Sequence, residues 1–119
     1  MFMTRLNTDP FQAIADNNRR EILMLLSANK MSINTLADNF EISRPAISKH
    51  IKVLYEAGFI LINNEGRERY CELSPIGFDH IKEWMEYFEQ FWTKKLQSLE
   101  NLLNDRAKKK KPNQNNKSL

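Results

Sequence analysis

Residues 41–54 read EISRPAISKHIKVL. On a helix advancing about 100° per residue, Ile47, Ile51 and Leu54 share a narrow arc suited to a core. Pro45, Ser48, Lys49 and Lys52 fall on the opposite side, with Arg44 at one flank and His50 at the other border. Ser43 stands where an N-cap hydroxyl is needed. Pro45 is tolerated in the first turn, because the N–H it lacks would have no intrahelical acceptor there. No acid interrupts the cationic face before Glu56, and Ala57–Gly58 supplies a helix stop.

The flanks extend this helix into a fold. Upstream, Ser32 caps a shorter helix in which Ile33, Leu36, Ala37 and Phe40 recur at helical spacing. Glu41 and Ile42 make the tight connection, and two short helices so joined form a helix-turn-helix. Before them, Asp9 and Pro10 open a first helix over about residues 9–15. A second follows, capped by Asp16 or by Asn18 with Glu21, and buries Ile22, Leu25 and Leu26, with Arg19 and Arg20 off that face. Downstream, residues 59–63 (FILIN) read as a strand, Glu65–Gly66 as a hairpin turn, and residues 69–73 as the return strand. Ser74 and Pro75 then open a last helix over about residues 76–103. The expected class is mainly α with a small β-hairpin: a winged helix-turn-helix with a long C-terminal helix, within residues 9–105. Residues 1–8 are expected to be a flexible N-terminus.

The chain has 119 residues and a net charge of +3, but the charge is uneven. Six of the 18 basic residues follow Asp105, after which no acid occurs, leaving 12 basic against 15 acidic residues in 1–105. Residues 106–119 have no large apolar side chain before the terminal leucine and are expected to be a disordered basic tail. Their Lys108–Lys111 run reads as a solvated tail, or as a source of phosphate affinity that salt would weaken. Within 43–70, Arg44, Lys49, Lys52, Arg67 and Arg69 outnumber Glu56, Glu65 and Glu68. Locality of charge matters more to nucleic-acid binding than its total. No apolar run approaches the ~20 residues needed to span a bilayer, the start shows no secretory signal, and one cysteine forms no internal disulfide. A cytoplasmic protein is expected.

A helix with cations and short hydroxyls on one face suits a DNA major groove. Arg and Lys donate to guanine O6 and N7, Ser to a base or phosphate, and the helix N-terminus favours phosphate. The hairpin would carry Arg67 near its tip, where a guanidinium enters a minor groove or holds a phosphate. The bland alternative is a surface arginine paired with Glu65 or Glu68.

The stretches AIADNNRREILMLL (13–26), LADNFEISRPAISKHIKVLYEAGFI (36–60) and EGRERYCELSP (65–75) resemble the ArsR-type family of small bacterial winged-helix repressors. The resemblance spans roughly residues 9–103. It implies a homodimeric repressor of a palindromic operator, with double-stranded DNA and a second copy of the chain as partners. By position, Ser43, Arg44, Pro45, Ser48, Lys49, His50 and Lys52 would belong to the DNA-contacting helix, and Arg67 and Arg69 to the wing. The last helix carries more aromatic and aliphatic residues than one small domain covers. The resemblance assigns Ile81, Trp84, Met85, Phe88, Phe91, Trp92, Leu96 and Leu99 to a dimer interface, with Phe11 and Ile14 of the first helix.

Many proteins of this kind release DNA on binding metal, which needs three or four soft or imidazole donors. The helix that would carry a Cys-x-Cys pair reads Asn34–Thr35–Leu36–Ala37–Asp38 and has no thiol. Asp79 and His80 are adjacent and project about 100° apart, and the other histidine, His50, lies in the cationic helix. No metal or cofactor is expected. Cys71 reads as a small core residue. An enzyme is not expected, since there is no nucleophile–base pair and no glycine-rich phosphate loop. One rival remains: a winged-helix module without DNA binding that docks a partner protein through the aromatic last helix. No residue identifies an effector or the regulated genes.

Overall fold

The computed structural model describes residues 7–109, in the order α1 (Pro10–Ala13), α2 (Asn17–Leu26), β1 (Met31–Ser32), α3 (Ile33–Ala37), α4 (Arg44–Glu56), β2 (Ile60–Glu65), β3 (Glu68–Leu73) and α5 (Pro75–Lys109). Two compact units divide between Glu83 and Trp84.

In the first unit each short helix starts at an expected cap. The Asp9 carboxylate accepts from Phe11 N, Asp16 from Arg19 N, Ser32 Oγ from Thr35 N and Ser43 Oγ from Ala46 N. Each cap satisfies a donor that the first turn leaves open, an effect of about 1 kcal/mol. The second helix thus starts from Asp16 rather than Asn18. Its face, with α3 and α4, closes a core of Ile22, Leu26, Leu36, Ile47, Ile51 and Leu54, all buried.

Helix α4 ends in a Schellman motif. Phe59 N bonds to Leu54 O at 2.9 Å and Gly58 N to Tyr55 O at 3.1 Å, with Gly58 at φ +83°. The chain turns here and buries Phe59 completely. The start of α5 closes over that turn: Ser74 N donates to Phe59 O at 2.8 Å, Gly77 N to Gly58 O at 2.7 Å, and Phe78 meets Phe59 edge-to-face at 4.8 Å. A methyl group on Gly77 would lie 2.8 Å from both Ala57 O and the Phe59 ring, so only glycine lets α5 approach this closely.

Strands β2 and β3 pair antiparallel from Ile60↔Leu73 to Glu65↔Glu68, leaving Gly66 and Arg67 as a two-residue loop. Gly66 has φ +67° while Arg67 does not have positive φ, the pattern of a type II′ hairpin turn. The expected turn sits one residue further along than Glu65–Gly66. A third strand was not expected: β1 pairs with β3 through Met31↔Cys71 and Ser32↔Tyr70, giving the order β1-β3-β2. Two residues carry no alternation to detect, and Ser32 doubles as the α3 cap. The sheet is therefore three-stranded, with the hairpin as its larger part.

The second unit begins at Trp84 and, among the described residues, is helical to Lys109. The expected end at Leu103 and the tail from 106 are corrected for residues 104–109, which continue α5. Arg, Ala and Lys are good helix formers, no Gly or Pro intervenes before Pro112, and cations suit a helix C-terminus. Residues 110–119, the rest of the expected tail, lie outside the described residues, as do residues 1–6 of the expected flexible N-terminus. Thr8 Oγ1 is hydrogen-bonded to Glu56 Oε1 at 3.4 Å.

Gly77→Ala provides a test of the close approach. In an ordinary helix interior the change would stabilise by up to about 1 kcal/mol. Here the overlap with backbone and ring should reverse the sign, costing about 1–3 kcal/mol, read as a lower urea midpoint. An unchanged or higher midpoint would show that the α5 start is not packed as described.

Candidate nucleic-acid interface

The buried stripe Ile47, Ile51 and Leu54 sets the rotation of α4, leaving Ser43, Arg44, Pro45, Ser48, Lys49 and Lys52 exposed. Beside this face lies a cleft of about 650 Å³ between α4 and the hairpin. Ser48, Lys52, Tyr55 and Glu56 line it from the helix, and Ile62, Asn64 and Arg69 from the strands. The structure thus brings Ser48, Lys52 and Arg69 to one place. Lys49 shares the exposed face, and Arg67 occupies the hairpin turn, exposed.

The far half of the hairpin covers no core: Asn63 to Arg69 are all exposed. Its last pair, Glu65↔Glu68, sets two carboxylates opposite each other, an arrangement that disfavours pairing. Lys30 offsets this by binding Glu65 Oε2 at 2.6 Å while its ammonium lies 5.5 Å from the Tyr70 ring centre. The hydrogen bond and charge of Glu65 raise the Lys30 pKa above its ordinary 10.5. With both partners about half exposed, this pair contributes little to stability but does occupy Glu65. Among the described residues no carboxylate lies within ion-pair distance of Lys49, Lys52, Arg67 or Arg69. The bland reading of Arg67, a pair with Glu65 or Glu68, is therefore not realised.

Two expected contact residues behave differently. Arg44 reaches back over the turn of the helix-turn-helix, hydrogen-bonding Asn34 Oδ1 and lying 3.4 Å from Asp38 Oδ1. It remains exposed, with its guanidinium shared between that turn and solvent. His50 lies apart from the exposed cations. Its side chain is only 18% exposed, and Nδ1 lies 3.1 Å from Arg19 Nη1 and 3.9 Å from Asp16 Oδ2. The border position that the helical wheel gave it falls on the α2 side of α4, so the ring belongs to the body of the domain.

Arg19 was missed as a site residue. Cations in the first turn of a helix oppose its dipole, so two adjacent arginines at the start of α2 were a legible sign of some other employment. The Asp16 carboxylate beside them is driven upward by burial. The Arg19 N–H, the Arg19 guanidinium and the Asn18 N–H outweigh that effect and hold its pKa below the ordinary 3.8.

The expected dimer residues separate as well. Ile14 and Ile81 pack against the core of the first unit, and Phe11 is half-buried. Ile81 lies close enough to the start of α5 to pack against that core. In the second unit Trp84, Met85, Phe88, Phe91, Trp92, Leu96 and Leu99 are all exposed in the single chain, at 39–62%. Trp84 with Phe88 and Phe91 with Trp92 pair edge-to-face at 5.0 and 5.2 Å. Cys71 is fully buried on β3, and burial pushes its thiol up to about 11. His80 is buried and Asp79 exposed, so the two point apart as expected. Among the described residues no helix is long and apolar enough to cross a membrane.

A helix-turn-helix followed by a hairpin, with cations concentrated on both, defines the class of winged helix-turn-helix regulators. Comparison with known proteins gives the family. The model of the bacterial regulatory protein, arsR family, matches residues 16–60. The chain is 34% identical to the HTH-type transcriptional regulator Rv2034 of Mycobacterium tuberculosis, over 72% of this chain and 78% of that protein. It is 36% identical to the transcriptional repressor SdpR of Bacillus subtilis, over 66% and 87% respectively. The crystal structure of a possible transcriptional regulator for arsenical resistance superposes with a TM-score of 0.62 at 35% identity, over 82% of this chain and 95% of that one. The chain belongs to the ArsR family of bacterial transcriptional regulators, and its relatives are regulators rather than enzymes.

The lowered Asp16 pKa carries a sign. A carboxylate depressed in the folded state stabilises fully above its unfolded value and loses that contribution as pH falls through the folded one. Asp16→Asn keeps a capping side chain but removes the charge. Its deficit against the unaltered chain in urea melts should be largest near neutral pH and shrink below about pH 4. A deficit independent of pH would contradict the charge argument.

Proposed function

We propose that this protein is a homodimeric, metal-independent repressor that binds an inverted-repeat operator in the cytoplasm. The observation carrying this reading is the cleft that brings Ser48 and Lys52 of α4 together with Arg69 of the hairpin, with Lys49 and Arg67 exposed on the same two elements. Lys49 and Ser48 approach base edges, Lys52 and Arg69 flank a backbone phosphate beside the cleft, and Arg67 reaches the neighbouring minor groove. Ser43, Pro45 and the first turn of α4 present the helix N-terminus to phosphate.

Repression is supported by the family and by similarity to a protein described as a transcriptional repressor. Dimerisation is supported by the exposed aromatic face of α5, which is larger than a soluble monomer ordinarily leaves open. In this reading α5 pairs with its counterpart beside α1, and two α4 helices sit about 34–36 Å apart to enter successive major grooves. Metal independence is supported by the donor chemistry. Asn34 to Asp38 offers no thiol, and the chain's one thiol, Cys71, is buried with its pKa raised. The rival reading, a partner-docking module without DNA binding, gains no support from the relatives, which are transcriptional regulators.

Fluorescence anisotropy against inverted repeats from the region upstream of the protein's own gene tests the proposal. Binding should weaken with salt, and Lys52→Ala or Arg69→Ala should each reduce the slope of log K against log salt by about 0.9. Trp84→Ala with Trp92→Ala should shift the chain toward monomer in sedimentation and weaken binding with it. Absence of salt-sensitive binding to any such repeat would sink the reading.

A further inference from the structure

Helix α1 is only four residues long and cannot hold itself in place by its own hydrogen bonds. Its C-terminal carbonyls are instead gathered by the two arginines that open α2. Arg19 Nε donates to Ala13 O at 2.6 Å and Nη2 to Gln12 O at 3.2 Å, while Arg20 Nη1 donates to Ile14 O at 2.7 Å. The remaining arm of Arg19, Nη1, meets His50 Nδ1 at 3.1 Å, halfway along α4. A guanidinium has donors only, so His50 Nδ1 accepts, and the ring is the neutral tautomer carrying its hydrogen on Nε2. Asp16 accepts from Arg19 N at 3.0 Å and so fixes the turn from which the guanidinium extends. One planar cation therefore fastens the end of α1 to the middle of α4.

We propose that Arg19 and His50 are positioning residues for DNA recognition: their bond sets the angle of α4 from α1, so that the arrangement of the dimer dictates the aim of the DNA-reading helices. This rests on the reading above that α4 enters DNA and α1 lies at the dimer seam. A rigid fork suits the task, because it joins three acceptors on two elements in one plane. Neither residue touches DNA; both act through the orientation of Ser48, Lys49 and Lys52.

The test uses the full chain and the operator fragment of the anisotropy experiment, with Arg19→Met, His50→Leu, the double variant and His50→Asn. Each of the first two should weaken binding on the order of tenfold, and the double variant should be no weaker than the worse single, the mark of one shared interaction. The salt slope should stay unchanged in all of them, because no phosphate contact is lost. His50→Asn keeps an acceptor near the place of Nδ1 and should recover most of the affinity. Additive losses, an asparagine variant as weak as leucine, or a slope reduced by about 0.9 would each overturn the proposal, the last by making the residue a direct DNA contact. Should Arg19→Met fail to fold, Arg19→Lys takes its place with the same expectation, since it keeps the charge and loses the fork. No binding by the unaltered chain would sink the functional reading itself. Binding by the unaltered chain, with the Arg19 and His50 variants indistinguishable from it, would sink this inference alone.

Discussion

The constraint on which the rest depends is the burial of three side chains on α4. Ile47 and Leu54 have no exposed surface and Ile51 almost none, so α4 has one permitted rotation about its axis. Turning it by a single position would drive Ser48 or Lys52 into an apolar interior, at a cost no local gain could offset. The exposure of the cationic face is thus a by-product of core packing. Apolar burial is non-directional but large, roughly 1.5–3 kcal/mol for each such side chain. It decides where the polar chemistry points.

The same division explains what the amino-acid sequence made legible. Caps at Asp9, Ser32 and Ser43 were readable because a short polar side chain ahead of an apolar repeat has one common use. Ala57 and Gly58 announced the end of α4 for similarly local reasons. Strand β1 was not readable, since Met31–Ser32 exists only where β3 passes alongside, and tertiary pairing of two residues leaves no periodicity. Lys52 and Arg69 were both named as site residues, but their shared cleft depends on how the hairpin lies against α4. His50 shows the opposite case. Its place on the wheel was right, yet a border residue faces whichever neighbour the fold supplies, and here that neighbour is α2.

The two halves of α5 illustrate how one helix answers to different surroundings. Near its start, Ile81 joins the core and Gly77 admits the close approach over Phe59. From Trp84 onward the apolar side chains of the single chain meet solvent. Their spacing is equally regular throughout, and the family resemblance assigned Ile81 and Trp92 to the same surface. Membership of a regular stripe indicates that a side chain will be covered; which neighbour covers it is a question of tertiary placement.

The buried sulfur of Cys71 has a practical outcome. It sits on the middle strand, sealed from solvent and held in its protonated, sluggish form. An alkylating reagent can consume it only as fast as the strands part, so the chain contains its own clock for breathing of the sheet. Because no other thiol competes, the mass of the labelled polypeptide would record those openings one molecule at a time.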